Sequence, residues 1–163
     1  ALTWMLTLAC SNALAGYELE ARTTNLNYDI GRYAKFNVSL YQVGVSKFYG
    51  YSGWSVMVGE SNQGQDAGNT GEVKNFWVMS AVQRFDLSSR LTAGIRFNYT
   101  EYKSTINGSG NPDTGLGYGI SLIARVSRDY SIKVSYDDYY RKTKESLGKE
   151  TTNGTGVSVM YRF

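Results

Sequence analysis

Apolar and polar residues alternate along most of the chain with a period of two. In the segment 91–100 the apolar positions are Leu91, Ala93, Ile95, Phe97 and Tyr99. The alternation recurs in 116–126 and 132–137, and a helical period of 3.6 residues fits none of these stretches. Since successive side chains of a strand point to opposite faces, the pattern predicts strands with one apolar and one polar face.

Turn-forming residues separate these strands and suggest their order. Short polar connections occur at 86–90 and 127–130, and longer Gly-, Asn- and Ser-rich loops are expected at 61–71, 104–113 and 143–151. Counting back from Phe163, we expect strands at 152–163, 131–142, 114–126, 91–103, 72–85 and near 50–60. With two further strands in 17–48, the chain is predicted to be an all-β antiparallel up-and-down barrel of eight strands. Abundant glycine and tyrosine with a single proline agree with long strands.

The region 17–48 has a less regular pattern. A first strand is expected from Tyr17, with a short loop over 28–32. In the second strand, Phe36, Val38 and Leu40 are apolar at even positions, whereas Val43 and Val45 are apolar at odd positions. This change predicts a β-bulge near Tyr41 and Gln42.

Two kinds of barrel share this alternation. A soluble barrel of the lipocalin or streptavidin type turns its apolar face inward, and a transmembrane barrel turns it toward lipid. The parity alone leaves both open. The last strand favours the membrane, because it ends on the outward aromatic residues Tyr161 and Phe163, which resemble the signal read by the outer-membrane assembly machinery. Strands near ten residues long also match a bilayer.

The first fifteen residues differ in composition from the rest. Residues 1–15 carry no charge, have an apolar run from Leu2 to Cys10, and end in the small-x-small pattern Ala13-Leu14-Ala15. We therefore predict that 1–15 is the remnant of a cleaved signal peptide and that 16–163 is the barrel domain in the bacterial outer membrane. The alternatives are a genuine first strand or an interfacial anchor.

In a transmembrane barrel the charged residues of the strands must face the lumen, because a cation on the lipid face costs about 2–4 kcal/mol at the midplane. An eight-stranded barrel has an interior only wide enough for side chains. We therefore predict that a network of paired polar side chains fills the lumen. A filled lumen argues against a small-solute channel. Its members would be Glu18, Glu20, Arg22, Arg96, Arg125, Lys133, Asp137 and Arg162.

The predicted layout, the many tyrosines and the ending Tyr161-Arg162-Phe163 resemble the OmpX/Ail/Lom group of small enterobacterial barrels. Members commonly end in Gly-Tyr-Arg-Phe, and here Met160 stands in place of the glycine. The resemblance implies protruding strands and loops that serve adhesion, host-cell entry or serum resistance. It implies no catalytic residue.

The composition argues against an enzyme. The sequence has no histidine, and its single cysteine lies in the predicted signal, so a conventional Ser-His or Cys-His site cannot be assembled. No metal or cofactor motif is present, and a net charge of +3 gives nucleic-acid binding little support. We expect no cofactor and a monomer.

Two functions then remain. In the first, the extracellular loops at 61–71, 104–113 and 143–151 form an adhesive surface for host molecules, since function commonly resides in loops on a rigid scaffold. Alternatively, the barrel supports envelope integrity by contacting outer-membrane lipids and lipopolysaccharide. Basic residues predicted at the extracellular rim could bind lipopolysaccharide phosphates: Lys103, Arg141, Lys142, Lys144 and Lys149.

Overall fold

A computed structural model describes residues 16–30, 35–66, 68–108, 112–144 and 148–163, so the predicted signal segment 1–15 lies outside the described residues. The described chain forms nine strands: β1 (Tyr17–Ile30), β2 (Lys35–Tyr49), β3 (Ser52–Ser61), β4 (Gly64–Asp66), β5 (Asn69–Asp86), β6 (Leu91–Ile106), β7 (Pro112–Arg125), β8 (Tyr130–Lys144) and β9 (Gly148–Arg162). None of the described segments is a helix long and apolar enough to cross a bilayer.

Eight long strands close into a barrel. The order is β3-β2-β1-β9-β8-β7-β6-β5, each strand is antiparallel to its neighbours, and β3 pairs with β5 to complete the ring. The three-residue β4 pairs with the start of β5 as a small hairpin outside this count. The prediction of an eight-stranded up-and-down transmembrane barrel is confirmed.

The pairing register fixes the tilt of the strands. A row of paired residues that starts at Tyr17 returns to β1 at Asn27, ten residues further along. The row passes through Lys47, Trp54, Ala81, Phe97, Tyr118, Asp138 and Asn153. Such a stagger over eight strands corresponds to a tilt of roughly 40°, and it leaves an interior that side chains fill.

The two ends of the barrel differ. At one end, here called the turn end, short connections at 50–51, 87–90 and 126–129 join the strands. At the other, the far end, strands run beyond the predicted limits: β6 reaches Ile106 and β8 reaches Lys144. The described residues of the expected loops at 61–71, 104–113 and 143–151 are therefore largely strand, and residues 28–30 of the expected first loop belong to β1. Paired backbone continues there because the neighbouring strands extend as well: β5 pairs with β6 as far as Ile106, and β9 pairs with β8 as far as Lys144.

The outer surface carries an apolar band near the turn end. Phe97 is 69% exposed within this band, and Leu116, paired with Tyr99 at its upper border, is 78% exposed. Such exposure would be costly in water for side chains of this size. Other exposed apolar residues in the band are Val43, Val58, Met79, Ile95, Ile120, Leu122, Ile132, Val134, Val157 and Val159. Outward aromatic residues border it, as in membrane barrels. The turn-end girdle comprises Tyr17, Tyr49, Tyr51, Phe85, Tyr130 and Tyr161, and the upper girdle comprises Tyr41, Trp77, Tyr99 and Tyr118.

Beyond the upper girdle the polarity of the two faces reverses. The outer face there is polar, with Asn25, Asn27, Lys35, Asn37 and Lys103 directed outward. The interior there is instead apolar, and it belongs to a cluster that extends toward the turn end as far as Met57 and Val78. The other members are Leu26, Tyr28, Phe36, Val38, Leu40, Val73, Phe76, Tyr102 and Tyr139. The far half of the barrel therefore has the polarity of a soluble protein.

This reversal corrects the expectation for β2. Its pairing with β1 is continuous from Lys35 to Lys47, so there is no bulge near Tyr41 and Gln42. Phe36, Val38 and Leu40 face the interior, and Val43 faces outward in the apolar band. The apolar positions change parity because the strand passes from the water-exposed half into the membrane-facing half. The described bulges lie elsewhere, between Lys74 and Trp77 and between Asp138 and Tyr140.

Cysteine labelling can test this arrangement of β2. With Cys10 replaced by serine, we expect Asn37→Cys to react quickly with a water-soluble maleimide, because its side chain lies on the polar outer face. Val38→Cys should be protected inside the apolar cluster. A bulge that turned Val38 outward would instead make the two cysteines react at similar rates in the folded protein.

Candidate functional site

The interior of the membrane-facing half holds charged side chains in ion-paired groups. At the turn end, the Glu18 carboxylate accepts hydrogen bonds from Arg84 at 3.0 and 2.6 Å and from Arg162 at 3.0 and 2.5 Å. The Arg84 guanidinium also stacks over the ring of Phe48, with its Cζ 3.5 Å from the centroid. One buried carboxylate thus joins β1, β5 and β9.

A second group lies further inside. Lys133 of β8 donates to the Glu20 carboxylate of β1, and both side chains are buried. The side chains meet across β9, which separates the two strands in the barrel wall.

The third group centres on Asp137. Its carboxylate accepts hydrogen bonds from Arg22, from Arg96 at 2.8 Å and from Asn98 Nδ2 at 3.2 Å. Arg22 also donates to the Ser135 hydroxyl at 2.7 Å. Asp137 is 1% exposed, so two guanidinium groups compensate a carboxylate that is removed from water.

Glycines provide the space for this group. A Cβ at Gly119 would lie 2.0 Å from Asp137 Oδ1, and one at Gly156 would lie 2.5 Å from Arg22 Nε. Both glycines face the lumen, where any side chain would displace a charged partner. The ion pairs of Asp137 and Arg22 therefore require glycine at both positions.

The structure differs from the predicted lumen network at two places. Glu18, Glu20, Arg22, Arg96, Lys133 and Asp137 are buried inside. Arg162 pairs with Glu18, but its side chain is 49% exposed at the turn end. The prediction for Arg125 was wrong: it is the last residue of β7 and is exposed, because the strand ends here at the open turn end, outside the enclosed lumen.

Arg84 and Asn98 were not among the predicted members. Arg84 donates to Glu18, and Asn98 also accepts a hydrogen bond from Ser80 at 2.8 Å. The positive φ of 51° at Asn75 marks the bulge that changes the facing of β5 upstream of Arg84. The sequence signal that could have identified Arg84 is its charge, because a cation in a strand that crosses lipid must face the lumen.

The seam between the two ends of the chain is closed by backbone hydrogen bonds. Phe163 N donates to Tyr17 O at 3.2 Å, and Gly16 N donates to Phe163 O at 3.4 Å. The predicted assembly residues lie beside this seam, where the Tyr161 ring packs edge-on against Phe163 with centroids 4.8 Å apart.

The far rim carries mixed charge. Lys103 is exposed on the outer face, and ion pairs join Lys35 to Asp29 at 3.0 Å and Lys74 to Glu72 at 2.8 Å. Arg141, Lys142, Lys144 and Lys149 belong to β8 and β9, but their side chains lie outside the described residues. In the part of the structure that is described, no three His, Cys, Asp or Glu residues are grouped as metal ligands.

Comparison with known proteins agrees with this fold. No protein-family model matches the chain, and no curated protein matches its sequence. Among solved structures it is similar to Neisserial surface protein A, with a TM-score of 0.74 at 12% identity over 91% of this chain and 98% of that one. It is also similar to Ail of Yersinia pestis in complex with the heparin analogue sucrose octasulfate, with a TM-score of 0.62 at 14% identity over 91% and 99% of the two chains. The N-terminal β-barrel domain of Pseudomonas aeruginosa OprF gives 0.57 at 16% identity over 90% and 96%. These likenesses show a shared small-barrel fold.

The Asp137 group predicts a large stability effect. Asp137→Asn should lower the free energy of unfolding by about 3–5 kcal/mol, because it leaves two buried guanidinium groups without their counter-charge. Urea unfolding in lipid vesicles, followed by tryptophan fluorescence, would measure this. The exposed turn variant Asp129→Asn should change stability by less than about 0.5 kcal/mol. Equal effects of the two substitutions would contradict the role given to Asp137.

Proposed function

We propose that this chain is a surface protein of a bacterial outer membrane, with its turn end in the periplasm and its far end outside the cell. The exposed apolar band and the enclosed charges support a membrane position over a soluble barrel, which would turn the same faces the other way. Short turns at one end and extended strands at the other support the orientation. In this proposal residues 1–15 direct export, and Tyr161 and Phe163 serve recognition by the assembly machinery.

The observation that carries the proposal is the reversal of polarity above the upper girdle. A strand needs about 9–11 residues to cross the hydrocarbon, whereas β1, β6 and β8 contain 14, 16 and 15 residues. The additional length has a polar outside and an apolar inside. It therefore extends the barrel into water as a rigid wall that can present side chains to other molecules.

The rim chemistry favours an anionic partner on the host surface. Lys103 is exposed there, and the strands bring four more basic residues to the same end in Arg141, Lys142, Lys144 and Lys149. Sulfated saccharides carry dense negative charge that Arg and Lys side chains bind. The structurally similar Ail was solved with such a compound, sucrose octasulfate. We propose adhesion to sulfated glycans as the function of the far rim.

Lipopolysaccharide is a second candidate for the same basic residues. Lys103 points outward from β6 beyond the upper girdle, toward the lipopolysaccharide that would surround a projecting barrel. Contacts of this kind would stabilise the envelope without a host ligand.

A rim variant separates these possibilities. Replacing Lys103, Arg141, Lys142, Lys144 and Lys149 with glutamine should weaken binding of the folded protein to immobilised heparin by about tenfold or more, since five charges are removed. A matched control, Arg90→Gln with Arg128→Gln at the turn end, should bind like the native protein. Surface plasmon resonance at two salt concentrations measures both, and higher salt should weaken the native interaction.

Heparin binding that survives the rim substitutions would overturn the adhesive proposal. If the native protein binds lipopolysaccharide micelles through these residues and does not bind heparin, the envelope function replaces it.

A further inference from the structure

One outward-facing cation lies within the aromatic girdle at the turn end. Lys47 is near the end of β2, two residues beyond the outward Val45, and its side chain points away from the lumen. Its cross-strand partners on the two sides are Tyr17 of β1 and Trp54 of β3. The three residues therefore form one row across the outer wall.

The contacts within this row hold the ammonium group in place. Lys47 Nζ lies 4.4 Å from the ring centroid of Tyr17 and 5.5 Å from that of Tyr49. It also donates to the Tyr17 hydroxyl at 3.4 Å. Trp54 meets the Tyr17 ring edge-on with centroids 6.2 Å apart, which limits the movement of that ring. Cation–π contact stabilises a charge that remains close to apolar surface.

Lys47 takes no part in the ion pairs of the described part of the protein. Within that part, the ion pairs of the turn end are directed into the lumen, where Glu18 serves Arg84 and Arg162, and no carboxylate pairs with Lys47. An ammonium has three donors; one is directed at the Tyr17 hydroxyl, and the Tyr49 side chain also interacts with the group. The Tyr17 hydroxyl, having accepted from Lys47, retains its own proton to donate to a further acceptor.

We propose that Lys47 and Tyr17, flanked by Trp54 and Tyr49, form a binding site for the phosphodiester headgroup of a phospholipid in the leaflet at the turn end. The inference rests on the proposed membrane function. An aromatic girdle lies at the headgroup level, so lipid phosphates surround Lys47 at this height. The acyl chains of the same lipid would lie along Val45 and Val56, which continue the outer surface toward the apolar band.

Native mass spectrometry of the detergent-solubilised barrel, titrated with phosphatidylglycerol, tests this site. Lys47→Gln should weaken lipid binding about fivefold, which corresponds to the loss of one basic contact at a membrane surface. Lys47→Arg should retain binding, because the charge and the donors remain. The matched control Lys35→Gln removes an exposed cation at the far end and should bind like the native protein.

Three outcomes would overturn the site: native affinity in Lys47→Gln, an equal loss in Lys35→Gln, or displacement of the lipid by excess inorganic phosphate, which would indicate a site for the free anion. A mobility shift on boiling shows that each variant is a folded barrel. Cell fractionation tests the proposed function separately. If the native protein is in the outer membrane and Lys47→Gln binds lipid normally, the headgroup site fails and the surface function stands.

Discussion

Backbone hydrogen bonding is the constraint on which the rest of this structure depends. Hydrocarbon supplies no partner for an N–H or C=O group, so each strand that crosses it must be paired along both edges. The chain meets this condition by joining β3 to β5 and β1 to β9. The second seam extends from Glu18 and Arg162 to Ile30 and Glu150. It unites strands that are distant in sequence and makes the structure a barrel rather than an open sheet.

Closure with eight strands determines what the interior can contain. The lumen is too narrow for a water-filled channel, yet lipid on the outside forces charged residues inward. Glu18, Glu20 and Asp137 each receive at least one basic partner, and Gly119 and Gly156 leave the space for two of these contacts. The interior of the membrane-facing half is therefore filled by paired side chains that join strands across the barrel.

Much of this arrangement could be predicted from the sequence, because a period of two identifies strands and the cost of charge in lipid assigns their facing. Arg96, Lys133 and Asp137 lie inside, as that reasoning requires. The predicted facing of β2 was wrong because the outer face of this strand passes from water into lipid along its length. Phe36 and Val43 are both apolar but face opposite ways, and a single sequence cannot show where the strand leaves the membrane.

The limits of the strands and the partners of their side chains could not be predicted in the same way, because they depend on the neighbouring strands. Residues 104–106 were expected to open a Gly- and Asn-rich loop over 104–113, but pairing with β5 keeps them in β6. Arg125 has an inward parity and is nevertheless exposed, because β7 ends there. Arg84 joins Glu18 only through the fold, since the two residues are far apart in the chain. Local pattern predicts a strand and its faces, whereas its limits and partners come from the closed sheet.

The central claim is that this barrel is divided into a membrane-facing half and a water-exposed half with opposite polarity. Nuclear magnetic resonance of the protein in lipid nanodiscs would test it most directly, through cross-peaks between amide protons and either lipid methylene or water. We expect lipid cross-peaks at Val45, Ile120 and Val134, and water cross-peaks without lipid contact at Asn27 and Asn37. Lipid contact that continued along the strands to Asn27 and Asn37, or that was missing at Val134, would contradict the division.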